Sequence, residues 1–127
     1  MAGDRVLTTP LAFDFRDPVR GDVVVFHSSA LNGAVLIKRV VAVAGDTVEV
    51  RDGSLYLNGQ RQKESYLLEG TTDGDFPKTV VPTGELFVMG DDRNDSEDSR
   101  IFGPISKQAV IGKALAVWWP LWHLHGL

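Results

Sequence analysis

Two glycine-bearing turns, at Asp52-Gly53 and Asn58-Gly59, constrain this chain more than any other feature. A type I′ turn needs positive φ at both central residues, which Asp-Gly and Asn-Gly supply at low cost. Only Ser54-Leu55-Tyr56-Leu57 lies between them. The spacing therefore predicts two consecutive hairpins over 47–61, and hairpins impose antiparallel pairing. Further strand signals are 22–26 (DVVVF), 35–44 (VLIKRVVAVA, broken by Lys38-Arg39), 85–89 (ELFVM) and 114–119 (ALAVWW). Helix signals are poor: the best candidate, 105–113, is short and interrupted by Gly112. The segment 71–77 reads as a loop and Pro82-Thr83-Gly84 as a turn. Many short strands between glycine-rich turns point to an all-β fold of coiled antiparallel sheets, partly barrel-like, with little helix. The 127 residues suit one domain, 1–127.

Charge narrows the function. A net charge of -4, with no basic stripe, argues against nucleic acid as a partner. There is no cysteine, hence no disulfide and no thiolate metal site. His123 and His125 form a loose pair near the end, with no acidic or third histidine ligand beside them, so no metal or other cofactor is expected. No apolar run reaches the roughly 18 residues of a spanning helix, and the polar start Met1-Ala2-Gly3-Asp4 is no signal peptide, so a soluble or peripheral chain is expected. All three tryptophans fall in 117–122 (VWWPLW). Tryptophan suits both a core and a membrane–water interface. Trp118 and Trp119 fit either reading, and Trp122, beyond Pro120, fits interface or partner contact better.

The densest polar segment is 90–104, GDDRNDSEDSRIFGP, which follows an apolar strand directly. Asp98 and Arg100 stand two apart with Ser96 and Ser99 beside them, a spacing that suits a packed ion pair. Asp91, Asp92, Asp95 and Glu97 read as solvated loop residues. A calcium loop fails on spacing: counted from Asp92, its sixth position is Glu97 instead of glycine and its twelfth Gly103 instead of glutamate. Lys38 interrupts a β-branched run and has two readings. Its stem can snorkel to bring the ammonium to water. Alternatively the amine is dried, its pKa falls, and it accepts a proton near neutral pH. Arg39 points to the opposite strand face and is expected to carry a structural ion pair.

Taken together, Arg20-Gly21-Asp22 before VVVF, Ile37-Lys38-Arg39-Val40-Val41 before Ala44-Gly45-Asp46, and GDDRNDSEDSR at 90–100 resemble bacterial type I signal peptidase. The hairpin segment DGSLYLNGQ at 52–60 and Gly112-Lys113-Ala114 fit too, so the resemblance runs from Gly3 to about Trp119. Asp92 departs from it, because that family often has asparagine there. The resemblance implies a membrane-bound serine/lysine endopeptidase, working on the extracytoplasmic face, that removes signal peptides from exported preproteins after small residues. It implies Lys38 as general base, Ser96 as the hydroxyl that orients it, and Asp98 and Arg100 as a supporting ion pair. Val25, Leu36, Ile37 and Val6 would wall shallow pockets for small side chains. Trp119 and Trp122 would touch the membrane surface.

The family's nucleophilic serine belongs to a Ser-Met-x-Pro motif just before a Gly-Asp pair. Here Gly3-Asp4 follows Met1-Ala2 at once, and the motif occurs nowhere in the 127 residues. Ser28, Ser29, Ser54, Ser65 and Ser106 do not carry it. Residues 1–127 are therefore expected not to cleave preproteins alone, since a base without its nucleophile has nothing to activate. Two rivals stand beside this reading. A serine/lysine self-cleaving regulator would bring a DNA-binding domain and lack the DSR-type loop. A non-catalytic paralogue binding exported peptides would have no chemical need for Lys38 with its orienting hydroxyl.

Overall fold

The computed structural model describes residues 17–67, 71–72 and 74–113. Val6, the strand expected over 114–119, and Trp119 and Trp122 lie outside the described residues. Among the described residues nine strands run in chain order: β1 (Val23–Ser28), β2 (Ala34–Val43), β3 (Thr47–Arg51), β4 (Ser54–Leu57), β5 (Gln60–Arg61), β6 (Phe76–Val80), β7 (Glu85–Met89), β8 (Ile105–Ser106) and β9 (Val110–Lys113). The one α-helix among the described residues is a single turn, α1 (Ser99–Phe102).

The strands form a five-stranded sheet in the order β8-β7-β2-β1-β9 and a four-stranded sheet in the order β5-β4-β3-β6. Every pairing is antiparallel, and one sheet curls into a half-barrel. Both hairpins expected over 47–61 are present, as β3–β4 and β4–β5. Their turns hold Asp52 and Gly53 at φ 51° and 81°, and Asn58 and Gly59 at 53° and 84°, the region a type I′ turn requires.

Strand β2 is the organising element, because both of its faces are packed. One face joins a cluster shared by the two sheets: Val41, Ala42, Val48, Val50, Leu55, Leu57, Val81, Phe87 and Met89. The other joins Val24, Phe26, Leu86, Val88 and Ile105 around Val40. Phe26 and Phe87 are 0% exposed, and burying such a side chain contributes roughly 1.5–3 kcal/mol. The register with β7 slips between Val40↔Val88 and Ala42↔Phe87, an extra residue in β2 that places Val41 and Ala42 in one cluster.

Two expectations are corrected. Residues 105–113 are not a helix but β8, a 3₁₀ turn (Lys107–Ala109) and β9. Pairing decides this: Ile105 lies opposite Leu86, Val110 opposite Phe26 and Gly112 opposite Val25. Residues 71–77 are not loop throughout, because Phe76 opens β6. Pro77 masked that strand in the sequence, and it is tolerated because β6 is the edge of its sheet.

Candidate active site

Strand β7 ends at Met89, directly opposite Arg39 of β2. The chain then leaves the sheet as the loop 90–98, so at Lys38 β2 no longer has β7 beside it and pairs only with β1. Alternation sends these two side chains to opposite faces. Arg39 shares the Met89 face, while Lys38 lies opposite Val24 and shares the face of Val40. The loop straddles the strand and reaches both.

On one face Asp91 grips Arg39 with two bonds: Nε donates to Oδ1 at 2.9 Å and a terminal nitrogen to Oδ2 at 2.8 Å. The Asp91 side chain is 0% exposed, which corrects its reading as a solvated loop residue; the arginine draws it in. The Arg39 guanidinium also donates to the Gly21 carbonyl at 3.0 Å and lies 4.1 Å from the Tyr66 ring centroid. The structural pair expected for Arg39 is thus present. Glu97 is exposed, as a solvated residue should be.

On the other face Lys38 Nζ donates to Ser96 Oγ at 3.0 Å, and Lys38 is only 5% exposed. Burial pushes the Lys38 amine below its ordinary value. Asp98 opposes that shift and Arg100 reinforces it, and burial prevails.

Asp98 and Arg100 brace the loop. Arg100 donates through Nε and a terminal nitrogen to the two carboxylate oxygens of Asp98, at 2.8 and 2.6 Å. Asp98 is fully buried and also accepts from the Gly90 N–H at 3.1 Å and from the Arg100 N–H at 3.1 Å, which caps α1. Ser99 Oγ accepts the Val88 N–H at 2.9 Å, satisfying a β7 donor just past the short strand β8. Lys38, Ser96, Asp98 and Arg100 are therefore brought together.

The expected pocket residues divide by strand face. Val25 and Ile37 are direct cross-strand partners, the first half-buried and the second 7% exposed. Leu36 pairs with Phe26 on the Lys38 face and packs against the Val24–Val40 cluster.

Sequence reasoning missed a further buried ion pair. Arg93 donates to both oxygens of Glu64 at 2.9 and 2.8 Å, with side chains 0% and 4% exposed. The Tyr66 hydroxyl donates to the same carboxylate at 2.8 Å. Burial, then the Glu64 carboxylate, pushes that phenol above its ordinary value. Glu64 and Arg93 are 29 residues apart, so no local spacing announces them. The faint signal is one tyrosine inside the polar stretch QKESY at 62–66. Among the described residues no group of three metal-ligating side chains could hold an ion.

The class is thus an antiparallel-β fold that dries a lysine amine on a central strand and sets a loop hydroxyl against it. A family model described as signal peptidase, peptidase S26, matches residues 1–119. The chain is 41% identical over 125 residues to the probable signal peptidase I-1 of Synechocystis sp., covering 93% of this chain and 63% of that protein. It is 36% identical over 135 residues to signal peptidase IB of Staphylococcus aureus, covering 93% and 70%. It is 37% identical over 128 residues to thylakoidal processing peptidase 1 of Arabidopsis thaliana, covering 93% and 37%. The crystal structure of a signal peptidase I from Enterococcus faecalis superposes with a TM-score of 0.66 at 33% identity, covering 77% of this chain and 97% of that one. The chain belongs to the signal peptidase family, peptidase S26. It spans 63% and 61% of the length of the first two curated relatives it matches.

Proposed function

We propose that this protein is the catalytic core of a signal peptidase, a serine endopeptidase that removes signal peptides from exported preproteins after small residues. The observation that carries the reading is the 3.0 Å contact of Lys38 Nζ with Ser96 Oγ at a strand position where the lysine is 5% exposed. A dried amine favours its neutral form, and only the neutral form has a lone pair to accept a proton. Ser96 takes one N–H of that amine, which limits where the lone pair points.

In this reading the attacking hydroxyl comes from a Ser-Met-x-Pro segment, a motif absent from residues 1–127. Neutral Lys38 takes the serine proton as the oxygen attacks the scissile carbonyl. The resulting ammonium then protonates the leaving amine as the peptide C–N bond breaks. An acyl-enzyme remains; water gives its proton to Lys38 as it attacks the ester carbonyl, and the ammonium returns that proton to the serine oxygen as the ester C–O bond breaks and the signal peptide leaves. Asp98 and Arg100 hold the loop that carries Ser96. Val25, Leu36 and Ile37, within two residues of Lys38 or of its cross-strand partner Val24, line the pockets for small side chains. One relative is named a thylakoidal processing peptidase, which supports work at a membrane; in this reading the site faces the extracytoplasmic side and Trp119 and Trp122 touch the surface.

The test assays residues 1–127 alone and joined behind an anchor segment that carries Ser-Met-x-Pro, on a preprotein with a small-x-small cleavage site. The joined chain should cleave at that site, and Lys38→Ala should lower the rate about 10³-fold or more. The unjoined chain should release nothing. Turnover by the unjoined chain that Lys38→Ala abolishes, or a joined chain indifferent to Lys38→Ala, would refute the proposal.

A further inference from the structure

The buried Glu64–Arg93 ion pair and the half-buried Tyr66 beside it have no role in the chemistry above, yet they touch both elements that the chemistry depends on. Arg93 opens the 3₁₀ turn Arg93–Asp95, and Ser96 follows as its C-terminal cap. Besides its fork on Glu64, Arg93 donates from Nε to the Gly90 carbonyl at 2.7 Å, and its own carbonyl accepts from Arg100 at 2.8 Å. The root of the loop, its turn and its closing ion pair thus converge on one residue, through its side chain and its carbonyl. Tyr66 reaches the strand: its ring centroid lies 4.1 Å from the Arg39 guanidinium and 5.9 Å from that of Arg93. Arg39 is the chain neighbour of Lys38.

We propose that Glu64 and Tyr66 are positioning residues: the segment between β5 and β6 ties the strand carrying Lys38, through Arg39, to the turn carrying Ser96, through Arg93. The proposal rests on the endopeptidase reading for its catalytic consequence. Its physical basis is separate. A fully buried ion pair stabilises a fold little more than apolar side chains of the same volume would, because both charges lose their water. What it does supply is a fixed direction for two forked groups. The hydrogen bond from Nζ to Ser96 Oγ weakens steeply beyond about 3.5 Å, so a small swing of one tight turn is enough to break it.

The test uses Glu64→Gln, Tyr66→Phe and the pair Glu64→Leu with Arg93→Met. Each is placed in the anchor-joined chain for kinetics and in residues 1–127 with ¹³C-labelled lysine for NMR. Glu64→Gln should lower kcat about tenfold to hundredfold with KM changed less than twofold. Tyr66→Phe keeps the ring and should lower kcat by a smaller factor in the same direction. The apolar pair should regain the melting temperature without regaining kcat. In every variant the Lys38 Cε resonance should move; Asp98, Arg100, Glu97 and Asp91 are the charges acting on that amine, and their placement changes with the loop. An unmoved Lys38 resonance, or a kcat that recovers with the melting temperature in the apolar pair, overturns the proposal. Should Glu64→Gln fail to fold, Tyr66→Phe decides by the same two readouts. If the unsubstituted joined chain does not cleave, the endopeptidase reading fails, while the Lys38 resonance still decides the brace.

Discussion

Lys38 and Arg39 are adjacent in one strand and held by one loop, yet the protein treats their charges in opposite ways. Arg39 receives a carboxylate fork from Asp91, a backbone carbonyl and an aromatic face. Burial works against its charge, and Asp91, with Tyr66 and Glu64, more than offsets it. Lys38 receives a hydroxyl at 3.0 Å, and burial is the largest influence on its amine. One face therefore keeps a cation charged to hold structure, while the other lowers the pKa of a cation by drying it. The lesson is that two buried cations are distinguished less by being buried than by what each is buried with.

The sharpest way to break the contrast is through stability. Asp91→Ala strands a buried guanidinium and should cost about 3–5 kcal/mol in urea unfolding. Lys38→Met, one residue away on the other face, replaces a dried amine by an apolar chain of similar length and should be neutral or stabilising. Equal costs would erase the distinction between the faces. Ser96→Ala comes next: in the anchor-joined chain cleavage should slow about 10²-fold, while stability changes by less than about 1 kcal/mol. Kinetics alongside a urea titration separate the two effects.

Asp98→Asn sharpens the electrostatics. The Asp98 carboxylate raises the Lys38 pKa and Arg100 lowers it, so removing the carboxylate moves the Lys38 pKa further down. The amine is then neutral at lower pH, and the acid limb of kcat/KM should shift to lower pH. A limb that moves up contradicts this assignment. The smallest effect is expected at Asp46, far from the loop. Hydrogen bonding from Arg20 holds its carboxyl at about 2, against 3.8 for the free group. A depressed carboxyl stabilises the fold fully above 3.8, and that contribution is lost as the pH falls through about 2. Because Arg20 is half exposed, it should amount to less than about 1 kcal/mol. Melting temperatures of the unsubstituted protein and Asp46→Asn should converge as the pH drops from 5 to 2.

The sequence made the all-β fold class and the grouping of Lys38 with the 90–104 segment legible, and several single elements not. Lys38, Ser96, Asp98 and Arg100 were legible because three of them share one loop and the fourth breaks an apolar run. The hairpins were legible because Asp-Gly and Asn-Gly turns act locally. Strand β6 was hidden because an edge position excuses Pro77, and only the pairing partner reveals the edge. Residues 105–113 misled because short apolar runs fit helix and strand equally, and the partners that decide it lie in β7 and β1. Asp91 and Glu64 look like solvent residues in sequence; arginines 52 and 29 residues away draw them inside.

The central claim is that strand and loop together turn Lys38 into a base. Its most direct test is the pH titration of the Lys38 ε-carbon by NMR in ¹³C-lysine-labelled protein, with Lys38→Met identifying the resonance. The expected midpoint lies below the ordinary value of 10.5. A midpoint at or above 10.5 would show the amine to be an ordinary ammonium and would contradict the account.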